Sequence, residues 1–359
     1  MKLWIGCLPA LVSWPLMAQT PAQVRGVERL LSPLVESYGV SGMESPVREM
    51  VQRFLPAWAK AQTDTAGNLW LTVGRGQPTV VFVAHLDEVG FTVDTIRDDG
   101  LLEASAAGGF FSWLWQGRPA LVHTDSMDIP GVFVPPDSSP PDSAHASRVL
   151  VDVGSRTRDS TRALGLRPGY TVTSPKSYAR LAGPRATGRS FDDRVGSTAL
   201  LLAVRRLDPR RLRHTVVFIW SVREEIGLEG AEAVALELGL RPARVHAIDT
   251  FVSADAPLEN PRFALAPLGL GPVARALDNS TVTPPARLDS LIALARAHRI
   301  PLQVGATNGG NDGAAFAPYG VPDVALGWPL RYSHSPVEVI DLRDVVNLGR
   351  LVQAIAQDW

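Results

Sequence analysis

Five short stretches carry residues able to bind a cation or move a proton, each at the end of a strand-like run, at the opening of a helix or in a loop. In AHLDEVGF, His85 and Asp87 stand two positions apart after the apolar run TVVFVA, so on an extended strand both side chains leave on one face. His85 could offer one ring nitrogen to a metal while Asp87 holds the other nitrogen or the backbone around it. Taken alone, a His-x-Asp is more often a surface hydrogen-bonding pair than a metal site. GRSFDDRVG puts Asp192 and Asp193 at the opening of a helical pattern, where they could ligate a cation or serve as an N-cap and acidic first turn. VREEIGLEGA sets Glu224 and Glu225 side by side directly after a strand-like run. Adjacent carboxylates repel, which suits a cation ligand beside a general base, or else a pair left in solvent. Asp249 ends the apolar RVHAIDT, and His334 sits in the polar turn RYSHSPVE. Two histidines and several carboxylates at strand ends and in loops form a donor set suited to divalent metals such as zinc.

The elements that must position these residues alternate in type. Val24–Tyr38 has apolar residues at helical spacing, and Ser45–Leu55 opens with Ser-Pro, a helix start. Asn68–Val73 predicts an edge strand, and Thr79–Ala84, apolar throughout and β-branched, predicts a buried one. From 97 to 186 the pattern changes to short strand-like pieces (PALVHT, GVFVP, VLVDV, YTVTS) between Gly, Pro, Asp and Ser clusters, which predicts an inserted all-β, barrel-like module. Helix and strand signals then resume: a helix at Val195–Leu207, a strand at Thr215–Trp220, a helix at Leu228–Leu238 and a strand at Arg244–Asp249. Helices at Pro285–Ala297 and Asp341–Ala356 bracket the Gly-rich TNGGNDGAAF. The fold class is α/β, with 19–96 and 187–359 forming one catalytic domain that the module at 97–186 interrupts. The run PPDSSPPDS at 135–143 reads as an exposed loop.

Composition narrows the partners. At 359 residues, 45% hydrophobic and 20% charged, the chain has the make-up of a globular protein and not of a disordered or coiled-coil one. A formal charge of −1 offers no net field for nucleic acid or an anionic membrane. Residues 1–18, with Lys2, an apolar run from Leu3 to Met17 and small Ala18, read as a Sec-type signal peptide too short to span a bilayer, so the mature protein is expected to be periplasmic or secreted, with no membrane contact after processing. Removing them also removes Cys7, the chain's one cysteine, and with it disulfide and thiol chemistry.

The ordered series VSGMESPV, DTAGNLW, AHLDEVGF, PALVHT with IPGVF, VDVGSRT with LGLRPGY, GRSFDDRVG, VREEIGLEGA, AIDT, GGNDGAAF and RYSHSP resembles the tetrahedral aminopeptidase family of dinuclear metallopeptidases, from about Gly39 to the C-terminus. The resemblance implies a three-layer α/β/α zinc-peptidase-like catalytic domain whose inserted β module makes oligomer contacts. It implies two divalent ions per subunit, most readily Zn2+ with Co2+ or Mn2+ as options. One ion would be held by His85, Asp192 and Asp249 and the other by Asp192, Glu225 and His334, with Asp192 bridging. Glu224 would be the general base toward a water shared by the ions, Asp87 would orient His85, and the Asp192–Asp193 peptide would be cis.

The implied activity is removal of the N-terminal residue from short peptides with a free N-terminus, by a homo-oligomer that is a dimer or a larger assembly of dimers. A deacylase or carboxypeptidase on the same metals, and a non-catalytic binding protein on the same scaffold, stay open as alternatives. Asp255, in SADAP, competes with Asp249 for a ligand role; Asp249 is preferred because it ends its strand. Asp312 is expected to shape the substrate pocket, Trp113 and Trp115 to lie in the core, and His123, His145, His214, His246 and His298 to stay outside the site.

Overall fold

The computed structural model describes residues 19–136, 148–239, 241–256 and 264–359. The leader at 1–18 and most of the loop expected at 135–143 lie outside the described residues. Two helices open the chain, α1 (Pro21–Glu36), capped by Thr20 in a capping box, and α2 (Ser45–Phe54), followed by strands β1 (Gln62–Thr63), β2 (Leu69–Gly74) and β3 (Thr79–His85). Six strands interrupted by one short helix come next: β4 (Gly90–Ile96), β5 (Leu102–Ala107), β6 (Pro119–His123), β7 (Asp128–Phe133), β8 (Arg148–Asp152), α3 (Arg158–Ala163) and β9 (Thr171–Thr173). The remainder runs β10 (Ala179–Arg180), β11 (Arg185–Gly188), α4 (Phe191–Arg206), β12 (Thr215–Ser221), α5 (Glu229–Leu238), β13 (Pro242–Val252), β14 (Val273–Leu277), α6 (Pro285–Ala297), β15 (Gln303–Ala306), β16 (Leu326–Leu330), β17 (Glu338–Asp341) and α7 (Leu342–Asp358).

An eight-stranded sheet in the order β1-β2-β12-β3-β13-β16-β14-β15 forms the middle layer, with β12, β3, β13 and β16 mutually parallel. Strand β3 is buried at every residue because it is covered on both faces, as central parallel strands are. Val80, Phe82 and Ala84 pack with residues of α1, α4 and α7, whereas Val81 and Val83 pack with Ala231, Val234 and Leu238 of α5 and with Phe316. These are the three layers. Strand β2, expected at the edge, is flanked outside by the two residues of β1.

Strands β4-β5-β8-β7-β6-β9 close into a barrel with its own apolar core around Phe91, Trp115, Val122, Phe133 and Val172. The boundary expected at 97 is therefore corrected to the start of β4 at Gly90, since that strand pairs with β5 and β9 and with nothing in the large sheet. Its sequence, GFTVDTI, alternates as a strand of either sheet would, so periodicity could not assign it. The far boundary also moves, because β11 pairs with β17 of the catalytic domain through Arg185–Asp341 to Gly188–Glu338. Of the two tryptophans expected in the core, Trp115 is fully buried in the barrel but Trp113 is half exposed.

Candidate active site and metal centre

The parallel strands all end on one side of the sheet, where open α/β folds bind ligands. His85 is the last residue of β3, level with Ser221 at the end of β12. Beyond Ser221 the chain turns sharply, with Arg223 at φ 55°, and presents Glu224 and Glu225. Asp249 lies two residues past the Ala247–Val83 pairing of β13 with β3, which brings it beside His85. Asp192 and Asp193 precede the regular part of α4 in non-helical backbone, and their shared peptide is cis. His334 sits in the turn after β16.

These residues converge. Asp192 faces both imidazoles, Oδ1 being 3.2 Å from His85 Nε2 and Oδ2 3.2 Å from His334 Nε2. Glu225 Oε1 lies 3.3 Å from His334 Nε2. Two ligand sets, His85/Asp192/Asp249 and Asp192/Glu225/His334, each gather donor atoms within 4.8 Å of one another, and a third set groups His85 with Glu224 and Glu225. Donors on one zinc ion at tetrahedral angles stand about 3.4 Å apart, so the spacings match donors that share a cation. The tautomer suits a ligand: His334 Nδ1 lies 2.7 Å from the Gly109 carbonyl, which can only accept, so Nδ1 keeps its proton and Nε2, on the carboxylate side, is the nitrogen that would give up its proton to a cation. Glu225 Oε1 is buried with no hydrogen-bond partner.

Charge says the same. Burial pushes Glu224 well above the usual carboxylate range, and Asp249, Glu225 and Asp312 add to this against His85. Asp249 is pushed up to about 6, burial outweighing the Arg275 guanidinium 3.2 Å away. Asp192 ends below its usual range because His334 and His85 overcome its burial. Both histidines are raised well above theirs, since the carboxylates outweigh desolvation. A buried cluster in which Asp192, Glu224, Glu225 and Asp249 face two imidazoles and one guanidinium carries a surplus of acid that divalent cations would neutralise. The residues present thus fit a metal centre.

Asp87 stands behind the cluster, Oδ1 3.4 Å from His85 Nδ1, and it also accepts the backbone N–H groups of Glu224 and Glu225 at 3.0 and 3.1 Å. That second task was not visible in the sequence. Asp255 is outside the cluster, paired with Arg331 at 2.7 Å. Asp312 does not line the cavity; it is buried beneath it and accepts from Ser221, and the loop residues Asn308, Gly309 and Gly310 form the wall instead. His246 is enclosed between Phe82 and Trp359. Two supports were missed: Arg275, bridging Asp249 and Asp278, and Glu338, which accepts from the backbone of Phe191 at 2.6 Å and His334 at 3.1 Å. The cavity beside the cluster measures about 800 Å³ and is walled by Phe110 and Phe111 of the barrel domain, Leu228, Val252 and the 308–310 loop.

A family model described as M42 glutamyl aminopeptidase matches residues 67–351. The chain belongs to the M42 family. It is a hydrolase, a metallo-aminopeptidase. Among its relatives, a lysyl aminopeptidase of Pyrococcus furiosus is 29% identical over 344 residues, covering 92% of this chain and 96% of that protein. The Pyrococcus horikoshii TET1 peptidase, whose structure is described as a tetrahedron or a large octahedral shell, superposes with a TM-score of 0.84 at 31% identity, covering 93% of this chain and 100% of its own. Aminopeptidase APDkam598 of Desulfurococcus kamchatkensis gives 0.86 at 27% identity, with 94% and 96% covered. The resemblance seen in the motifs and the three-layer fold with its barrel both agree with these matches.

Proposed function

We propose that this M42 peptidase removes the N-terminal residue from short peptides using two divalent ions, zinc in the first instance, one held by His85, Asp192 and Asp249 and the other by Asp192, Glu225 and His334. The observation that carries this is the pair of three-donor sets that share Asp192. Bound cations would supply polarisation of the scissile carbonyl and a water acidified toward neutrality. Glu224, 4.0 Å from His85 Nε2 and on the cavity wall, belongs to neither of the two sets that share Asp192. Its raised proton affinity suits a base that takes a proton from water and hands it to the leaving amine. Asp87 holds the backbone of the Glu224–Glu225 turn and faces the ring nitrogen of His85 that points away from Asp192.

The test is hydrolysis of aminoacyl-p-nitroanilides and their N-acetylated forms by the mature protein and by Glu224→Gln, with and without added zinc or cobalt. Cleavage of free-amine substrates alone, dependent on metal and reduced about 10²- to 10⁴-fold in the variant, is expected. Cleavage of the blocked substrates transfers the reading to a deacylase. We further propose a homo-oligomer, on the strength of the assemblies described for the TET1 structure, and export with cleavage after Ala18. The export reading is supported by the apolar leader, which ends in small Ala18 before polar sequence.

A further inference from the structure

The VSGMES segment has no part in the proposed chemistry, yet it reaches the turn that carries it. Three successive backbone N–H groups of that turn donate to two carboxylates from distant parts of the chain. Arg223 N donates to Glu44 Oε1 at 3.1 Å, Glu224 N to Asp87 Oδ1 at 3.0 Å and Glu225 N to Asp87 Oδ2 at 3.1 Å. Ser41 Oγ donates to the same Asp87 Oδ2 at 2.6 Å, and Glu44 Oε1 also accepts from Gly42 N at 2.7 Å. With Arg223 in the left-handed region, the three N–H groups form a concave donor nest of the kind that binds anions. Here fixed carboxylates fill it. Glu44 is only 4% exposed and Asp87 is fully buried.

We propose that Glu44 and Ser41 are positioning residues: Glu44 holds the first N–H of the turn, Ser41 holds the carboxylate that grips the next two, and together they set where Glu224 and Glu225 stand. The role given to those two glutamates rests on the function proposed above; the positional coupling does not. One oxygen of Glu44, Oε1, accepts from both Gly42 N and Arg223 N, so what the turn takes from this side chain is a fixed acceptor oxygen. Glutamine keeps that oxygen. Alanine does not.

The experiment compares wild type, Glu44→Ala, Glu44→Gln and Ser41→Ala in two ways: kcat and KM on the best p-nitroanilide at saturating zinc, and titration of the metal-free proteins with Co2+ followed by visible absorption. Glu44→Ala is expected to lower kcat about 10- to 100-fold with KM within about threefold, and to weaken the cobalt equivalent that uses Glu225 about tenfold. Glu44→Gln recovers most of both, and Ser41→Ala loses a smaller share of each. The inference is overturned if Glu44→Ala leaves kcat and the cobalt isotherm unchanged while only thermal stability falls, or if Glu44→Gln is as impaired as the alanine variant. Should Glu44→Ala not fold, Ser41→Ala decides, an unchanged kcat and isotherm counting against it. A wild type inactive on every free-amine substrate, with the cobalt isotherm still shifted in the variants, sinks the proposed function and leaves this coupling standing.

Discussion

Asp192 spends its two oxygens on two different histidines, His85 and His334, each at 3.2 Å. If both ion sets depend on it, Asp192→Asn impairs both, whereas His334→Ala leaves the His85/Asp192/Asp249 set intact. Metal analysis after gel filtration checks this: more metal is expected in His334→Ala than in Asp192→Asn, and equal contents refute the shared role. Asp323 offers a test on a carboxylate outside the ligand sets. It is buried, with Oδ2 lacking a partner, and burial together with Asp278 pushes its carboxyl up to about 7 against the Ala247 N–H and Arg275. An unfolded Asp titrates near ~3.9. Between those pH values the folded chain keeps a proton that the unfolded chain has released, so stability falls as pH rises from about 4 to about 7. Asp323→Asn removes that loss, so relative to wild type it is more stable at pH 8 than at pH 5 in urea unfolding; an equal difference at both pH values contradicts the assignment.

At the scale of elements, the link between β3 and β4 braces the two parts of the molecule. Glu88, on that link, accepts from Lys176 at 2.8 Å, from Arg189 at 2.7 Å and from Gly39 N at 2.7 Å, with Arg194 at 3.7 Å. All three cations are buried with it, and their charges hold Glu88 well below its usual range although burial pushes the other way. Removing one side of such a pairing strands the other. Glu88→Ala is expected to cost about 3–5 kcal/mol in chemical denaturation, against well under half of that for an exposed pair such as Arg53–Glu49. Strand ends were the most legible part of the sequence, because an apolar run that stops at a polar residue marks both an element and its rim: Thr79–Ala84 with His85, and the run before Glu224 and Glu225, were located in this way, whereas Asp249, expected to end its strand, is followed by more of β13, which runs to Val252. Contacts across the chain were not legible. Nothing near Glu225 announces that Asp87 holds its N–H, nothing near Asp249 announces Arg275, and β4 could be assigned only by the strands it pairs with.

For the whole molecule, the family supplies an aminopeptidase and the barrel supplies part of the cavity wall. Light scattering on the purified mature chain should give a mass that is a multiple of the protomer's, and a monomer at micromolar concentration would remove the proposed assembly. N-terminal sequencing of material exported by the expressing cell is expected to begin at Gln19, and an intact Met1 in that material would exclude cleavage.

The hydrogen bond from His334 to the Gly109 carbonyl joins a proposed metal ligand to the segment leaving β5. It makes the barrel and the catalytic domain poor candidates for separate inheritance. A graft that exchanged the barrel between relatives would have to carry 108–111 as a matched unit, and a crossover cut at 97 would divide β4 from the strands that complete it. Recombination, natural or designed, is therefore expected to cut near the seams at Gly90 and Thr173, and only where the backbone at 109 can still meet His334.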